Sequence, residues 1–177
     1  MLPSHTNTRK PTEGNPMFRK MRRIKQQLSL EQDRQILAQA RRGVLSVLGD
    51  DGYPYGVPLN FVYDPDCGEL GSIFFHSALA GHKVDAITAC DKSSFCVMDE
   101  GTRNEGEWWY YVNSVICFGR VSAVEDPERK YQALAKLGKK YFPPEVDLQD
   151  EIDSGYARVH MMELKIEHVT GKHVQEK

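Results

Sequence analysis

The chain has 177 residues, 40% of them hydrophobic, and a formal net charge of −2 at pH 7. That is enough chain for one domain with a real core, and the charge balance excludes a generally nucleic-acid-binding protein. No apolar stretch approaches the roughly 18 residues of a membrane span, and the start Met1-Leu2-Pro3-Ser4-His5 lacks the apolar centre of a signal peptide. The expectation is a cytoplasmic protein without a membrane segment.

Residues 1–16 are polar, carry Pro3, Pro11, Gly14 and Pro16, and show no apolar periodicity, so they are expected to form a disordered tail before a single domain over 17–177. Five positive charges follow between Arg19 and Lys25. No aromatic platform or basic helix face continues this run, so anchoring against an acidic surface or an anionic cofactor is favoured over a nucleic-acid arm. Ser29-Leu30-Glu31-Gln32 has the capping-box pattern, and Ile36, Leu37 and Ala40 form an apolar stripe before Gly43, which predicts a helix over 29–42.

From Gly43 the period changes to that of strands. Residues 44–48 read as a strand, Gly49-Asp50-Asp51-Gly52 as a turn, and 53–63 as an extended return strand interrupted by Pro54 and Pro58. Asp64-Pro65-Asp66-Cys67-Gly68 turns the chain again into a strand that ends at His76. There the apolar run Ile73-Phe74-Phe75 gives way to His76-Ser77-Ala78-Leu79-Ala80-Gly81-His82-Lys83, and the spacing of Val84, Ala86 and Ile87 begins a helix. A helix start presents unpaired N–H groups and a positive dipole end, to which Lys83 and His82 could add charge, so this stretch can hold a phosphate. The same pattern also suits a solvated lysine.

Further on, residues 93–98 form a strand, 99–106 a charged loop, and 108–124 a long β-rich run opening on Trp108, Trp109, Tyr110 and Tyr111. Asp126-Pro127 starts a second helix with Leu134, Leu137 and Tyr141 on one face, and 157–169 alternates as a last strand. The four cysteines, Cys67, Cys90, Cys96 and Cys117, include no C-x-x-C pair, which argues against zinc, and no metal site is expected. About six strands and two or three interrupting helices predict a small antiparallel barrel with peripheral helices.

These residues carry a resemblance. Gly49-Asp50-Asp51-Gly52-Tyr53-Pro54-Tyr55-Gly56-Val57-Pro58-Leu59-Asn60, Phe75-His76-Ser77-Ala78 with Gly81-His82-Lys83, Ser94-Phe95-Cys96-Val97, and Ser114-Val115-Ile116-Cys117-Phe118-Gly119-Arg120-Val121 stand in unbroken order. With Phe18-Arg19-Lys20-Met21-Arg22-Arg23 upstream, the chain from about 17 to 168 resembles the nitroimidazole-resistance branch of the pyridoxamine-phosphate-oxidase-like flavoproteins. The resemblance implies a mainly β fold with peripheral helices, a six-stranded antiparallel split β-barrel, working as a homodimer with FMN in a cleft between subunits. It implies cofactor-binding roles for Pro58, Leu59, Asn60, Phe75, His76, Ser77, Ala78, Gly81, His82 and Lys83, with Trp109, Tyr111 and Ser114 supplied by the second subunit.

The aromatic quartet could wall the flavin or pack the dimer, and aromatic enrichment at interfaces favours the second role. His76 is the candidate catalytic residue; its other reading is a hydrogen-bonded histidine at a strand end. The function implied is an FMN-dependent reductase acting on a small electron-poor acceptor, with a 5-nitroimidazole as candidate. The alternative is a flavin- or haem-binding protein without turnover, with His76, His82 or His160 as the axial ligand for haem. An empty scaffold is opposed by Asn60, Ser77, Gly81 and Lys83. The Arg- and His-bearing C-terminal substrate motif of true pyridoxamine-phosphate oxidases is missing after Val159, which disfavours vitamin B6 oxidation.

Overall fold

The computed structural model describes residues 18–177, so the tail expected at 1–16 lies outside the described residues. Seven strands form one antiparallel sheet: β1 (Arg42–Leu48), β2 (Pro54–Asn60), β3 (Val62–Asp64), β4 (Ser72–Ser77), β5 (Lys92–Met98), β6 (Tyr111–Ala123) and β7 (His160–Gln175). Their spatial order is β2-β1-β5-β6-β7-β4-β3.

The ends of that order explain the shape. β2 and β3 sit at opposite edges, yet only Phe61 separates them in sequence, so the sheet curls until its edges meet. Residues 54–64 behave as one bent strand that leaves β1 at Asn60 and takes up β4 at Val62. The expected six strands are thus corrected to seven, because the partner changes at Phe61. The Tyr141 hydroxyl repairs the break: it accepts from the Phe61 N–H at 3.0 Å, and the carbonyl oxygens of Phe61 (2.9 Å) and Arg41 lie within its reach as acceptors for its one proton.

The core fills the curl. Strict alternation on β1 and β5 turns Leu45, Val47, Phe95 and Val97 inward, where Phe61 meets Phe95 edge-on at 4.8 Å between ring centroids. On β6, Gly119 lies at a register shift against β7, and a Cβ there would come within 2.0 Å of the Lys165 carbonyl oxygen. β7 itself runs six residues past the expected end at 169.

Four α-helices and two short 3-10 turns, Ile24–Gln26 and Tyr156–Arg158, complete the described residues. α1 (Leu30–Gln39) starts at the expected capping box, Ser29 with Gln32, and buries Leu37 against the sheet. α2 (His82–Ala89) follows β4. α3 (Pro127–Tyr141) is capped by Asp126 and lays Ala133 and Leu137 on Phe74, Val124 and Met161, so β4 is covered on both faces. α4 (Leu148–Gly155) was not anticipated; Asp147 caps it by accepting from the N–H groups of Gln149 and Asp150.

One buried charge stands out. Asp33 on α1 is only 3% exposed, its Oδ1 has no hydrogen-bond partner among the described residues, and burial pushes its carboxyl up to about 6, against a weaker opposing pull from the Gly171 backbone. A raised acid pKa means the folded state holds the proton more tightly. Its contribution is therefore full below about pH 4 and fades as pH rises to about 6, a change of about 3 kcal/mol.

Two predictions follow from these contacts. In urea unfolding, Asp33→Asn should gain on the wild type by up to about 3 kcal/mol between pH 4 and pH 7; parallel curves would show that Asp33 does not titrate in this way. Tyr141→Phe strands the buried Phe61 N–H and should lower stability by about 1–3 kcal/mol with an unchanged m-value, whereas an equally stable variant would remove the hydroxyl from the seam.

Candidate functional site

Where the curled edges approach each other, a groove of about 440 Å³ opens, lined by Pro58, Leu59 and Asn60 from β2, His76, Ser77 and Ala78 from the end of β4, Lys83 from α2, and Arg42 from β1. Three local facts assemble it. Antiparallel pairing sets Arg42 opposite Asn60. β2 pairs with β1 on one side only, so its other backbone edge faces the groove, and Pro54 and Pro58 are tolerated there because an edge strand need not donate outward. Finally, Gly81 takes φ +129°, which a side chain rarely allows, and redirects the chain from β4 into the first turn of α2.

The groove is electropositive and its one imidazole is kept basic only weakly. The His76 ring makes no hydrogen bond among the described residues, and its pKa is held below the ordinary histidine value first by partial burial and then by the nearby Lys83 charge. Burial also lowers Lys83, whose ammonium stands 5.7 Å from the Phe75 ring centroid. At neutral pH His76 is therefore uncharged and able both to accept and to donate a hydrogen bond.

Seven of the residues singled out from sequence thus meet in one place: Pro58, Leu59, Asn60, His76, Ser77, Ala78 and Lys83. Phe75 is fully buried in the core and does not line the groove, although the Lys83 ammonium stands over its ring. Gly81 shapes the turn, and a Cβ there would meet nothing within 4 Å. The His82 ring turns away from the groove, stacks on Tyr55 at 4.3 Å and reaches Asp50 at 3.3 Å, clamping α2 to the β1–β2 hairpin.

Trp109, Tyr111 and Ser114 lie elsewhere. Ser114 pairs with Lys172 on β7, whereas Ser77 pairs with His160, a separation of 12 residues along β7, or roughly 40 Å of extended strand. There the Tyr111 hydroxyl accepts from Trp109 Nε1 and donates to Glu107, each at 3.2 Å, while His173 stacks on the Tyr111 ring and bonds Asn113. This end of the sheet cannot reach the groove of its own chain.

Sequence reasoning missed Arg42, whose one signal is the tandem Arg41-Arg42 before a strand. It also missed a second, apolar hollow under α4 that shares Asn60 and His76 with the groove.

The model of the pyridoxamine 5'-phosphate oxidase family matches residues 30–173, nearly the whole described chain. The chain belongs to that family. Several solved structures share its fold. One, provisionally named a 5-nitroimidazole antibiotic resistance protein, from Bacteroides thetaiotaomicron VPI-5482, superposes with a TM-score of 0.72 at 22% identity over 85% of this chain and 87% of that one. A FAD-binding protein from Mesorhizobium loti gives 0.58 at 23% identity, covering 84% and 96% of the two chains. The FAD binding protein from Mycobacterium smegmatis gives 0.59 at 18%, covering 85% and 99%. Identities this low establish the fold. No curated protein is a significant match.

The coupling of His76 to Lys83 is testable directly. In Lys83→Met the ring protons of His76, followed by NMR against pH, should titrate at a higher pH than in the wild type, because a like charge has been removed; an unmoved midpoint would place the two groups apart.

Proposed function

We propose that the chain is an FMN-dependent reductase that passes two electrons from a nicotinamide donor to a small electron-poor acceptor, with a 5-nitroimidazole as the candidate. The observation that carries this reading is the groove itself: two cations, Arg42 and Lys83, and the first turn of α2 stand beside the free edge of β2. That donor set fits a flavin mononucleotide. Lys83 and Arg42, with the open amides at the start of α2, would hold the phosphate by charge-assisted hydrogen bonds. The backbone edge at Pro58, Leu59 and Asn60 would orient the ring system, whose edge carries both donors and acceptors. Two-electron transfer is the chemistry such a cofactor supplies when bound, while the protein contributes orientation and electrostatics. His76, neutral and with its ring unpaired among the described residues, is placed to hydrogen-bond the acceptor.

The names of the similar proteins support both halves of the reading: two are called FAD-binding, and one is associated by name with 5-nitroimidazole resistance.

A homodimer completes the site. The outer face of β1, β5 and β6 exposes Val44, Leu48, Met98, Ile116 and Phe118, with Trp108 beyond. Phe18 meets Phe118 at 5.8 Å between ring centroids, and the adjacent apolar side chains that the rest of this face exposes suit an interface; a second copy there would bring Trp109, Tyr111 and Ser114 to the partner groove from the remote end of its own sheet. A cytoplasmic setting is part of the same proposal; among the described residues no helix is long and apolar enough to cross a membrane.

The test starts with an absorption spectrum of protein supplied with FMN or FAD, followed by NADH or NADPH without oxygen and then a nitroimidazole. Flavin bands that bleach with the donor and return with the drug are expected. Flavin that no donor bleaches would favour a binding role, a Soret band would favour haem, and tighter retention of FAD would overturn the choice of FMN. Lys83→Ala should weaken FMN about ten- to a hundredfold, or about 1–3 kcal/mol, and unchanged affinity would remove Lys83 from the phosphate. His76→Ala should keep the flavin and lose turnover, and equal turnover would leave His76 a structural role.

A further inference from the structure

Behind the groove lies a second hollow of about 250 Å³, between α3 and α4. Asn60 and His76, which line the groove, also line this hollow, so they separate a polar, cationic trough from an apolar pocket. The walls are Leu134, Leu137, Ile152, Val159 and the rings of Tyr141 and Tyr156. Neither tyrosine hydroxyl is free for a ligand: Tyr141 spends its own on the Phe61 break, and Tyr156 donates to the Pro127 carbonyl at 3.1 Å. Among the described residues the only charged group lining the hollow is Glu151, exposed on α4.

The outer wall is a built one. Leu148 of α4 packs so closely on α3 that a Cβ at Gly138 would come within 2.2 Å of its Cδ1. The Lys130 ammonium bonds the Tyr156 carbonyl at 2.9 Å and stands 4.1 Å from the Tyr156 ring centroid, and Tyr131 bonds Gln149. These contacts tie α4 and the turn after it to α3.

We propose that this hollow is a binding pocket for a single-ring aromatic molecule, neutral or cationic, seated with its polar acceptor group against Asn60 and His76 and its substituent toward Glu151. That the ring belongs to the electron acceptor rests on the reductase reading; that the pocket binds it does not. Size sets the class: a dry cavity of about 150 Å³ takes benzene, so about 250 Å³ takes one ring with a short substituent and is too small for the roughly 300 Å³ and upward of drug-sized pockets. Polarity sets the orientation. A nitro or carbonyl group is satisfied only at the Asn60 and His76 end, since the walls offer it no donor. Glu151 sets the sign: a carboxylate on the ligand would face a like charge, an ammonium an opposite one.

Three ligands of one shape and different charge test this on the full chain, with and without FMN: 4-nitrobenzyl alcohol, 4-nitrobenzylamine and 4-nitrobenzoate, titrated by calorimetry or ligand NMR. The alcohol and amine should bind and the benzoate bind at least tenfold more weakly. Leu134→Trp and Gly155→Leu fill the pocket from α3 and α4; Gly155 has helical φ and ψ, and a Cβ there meets nothing within 4 Å. Each should weaken the alcohol tenfold or more while FMN affinity and the circular dichroism spectrum stay as in the wild type. Glu151→Gln should bring amine and benzoate to within about threefold of each other. Absence of alcohol binding by the wild type, or equal binding by both filled variants, overturns the pocket. The flavin measurement separates the two claims: ring binding that depends on residue 134 without flavin binding keeps the pocket and rejects the reductase, and flavin binding without ring binding does the reverse.

Discussion

A strand that changes partners in the middle is the constraint on which the rest of this molecule depends. Because Asn60 still pairs with β1 while Val62 already pairs with β4, the first and last strands of the sheet are held one residue apart, and a flat sheet is impossible. Curling encloses the core, and it also leaves a place where neither ladder satisfies the backbone. Phe61, fully buried there, would keep an unpaired N–H in an apolar interior without the Tyr141 hydroxyl. Lys140 stands over the same ring at 4.2 Å and donates to the Ala40 carbonyl, and burial followed by the Arg41 charge pulls its pKa down to about 8. The end of α3 is thus the clasp of the barrel, and the groove and the apolar pocket both open beside it.

α3 can serve as a clasp because it is anchored by two kinds of contact. Ala133 and Leu137 bury against Phe74 and Met161, and two ion pairs flank them. Arg129 meets the buried Glu163 at 2.6 Å, which also accepts from Ser72, and Lys136 meets the buried Asp64 at 2.5 Å. Hydrogen bonding from Lys136, Cys67 and the Asp66 N–H outweighs burial and holds the Asp64 carboxyl below its usual value. A buried carboxylate deprived of its partner is far costlier than the pair is favourable, so these contacts act mainly by excluding other placements of the helix. The exposed set Arg120, Asp91 and Glu167 has equally good geometry but sits in water and contributes little.

Features that depend on neighbours in the chain were legible in the sequence. The capping box at Ser29, the alternation of β1 and β5, the Asp126-Pro127 start of α3 and the strand-to-helix turn from His76 to Lys83 are all local. What depends on partners in space was not. Nothing in the alternation of 53–63 marks the switch at Phe61, because both halves keep the same period. Phe75 and His76 are adjacent and face opposite ways, and which of them lines the groove depends on where the core lies. α4 is short, acidic and carries few apolar residues, so Leu148 and Ile152 acquire a meaning only once α3 is beside them. Arg42 enters the groove solely through its register with Asn60.

The two hollows are linked through charge as well as through shared walls. His76 is held neutral in part by the Lys83 ammonium. An anionic group bound at Lys83 would screen that ammonium, and the imidazole would then titrate closer to its ordinary value. Linkage works in both directions: whatever raises the proton affinity of His76 when the groove fills must also tighten the hold of the groove when His76 is protonated. An anion in the trough therefore offsets the Lys83 contribution to the lowered proton affinity of His76, while the burial that is its larger cause remains.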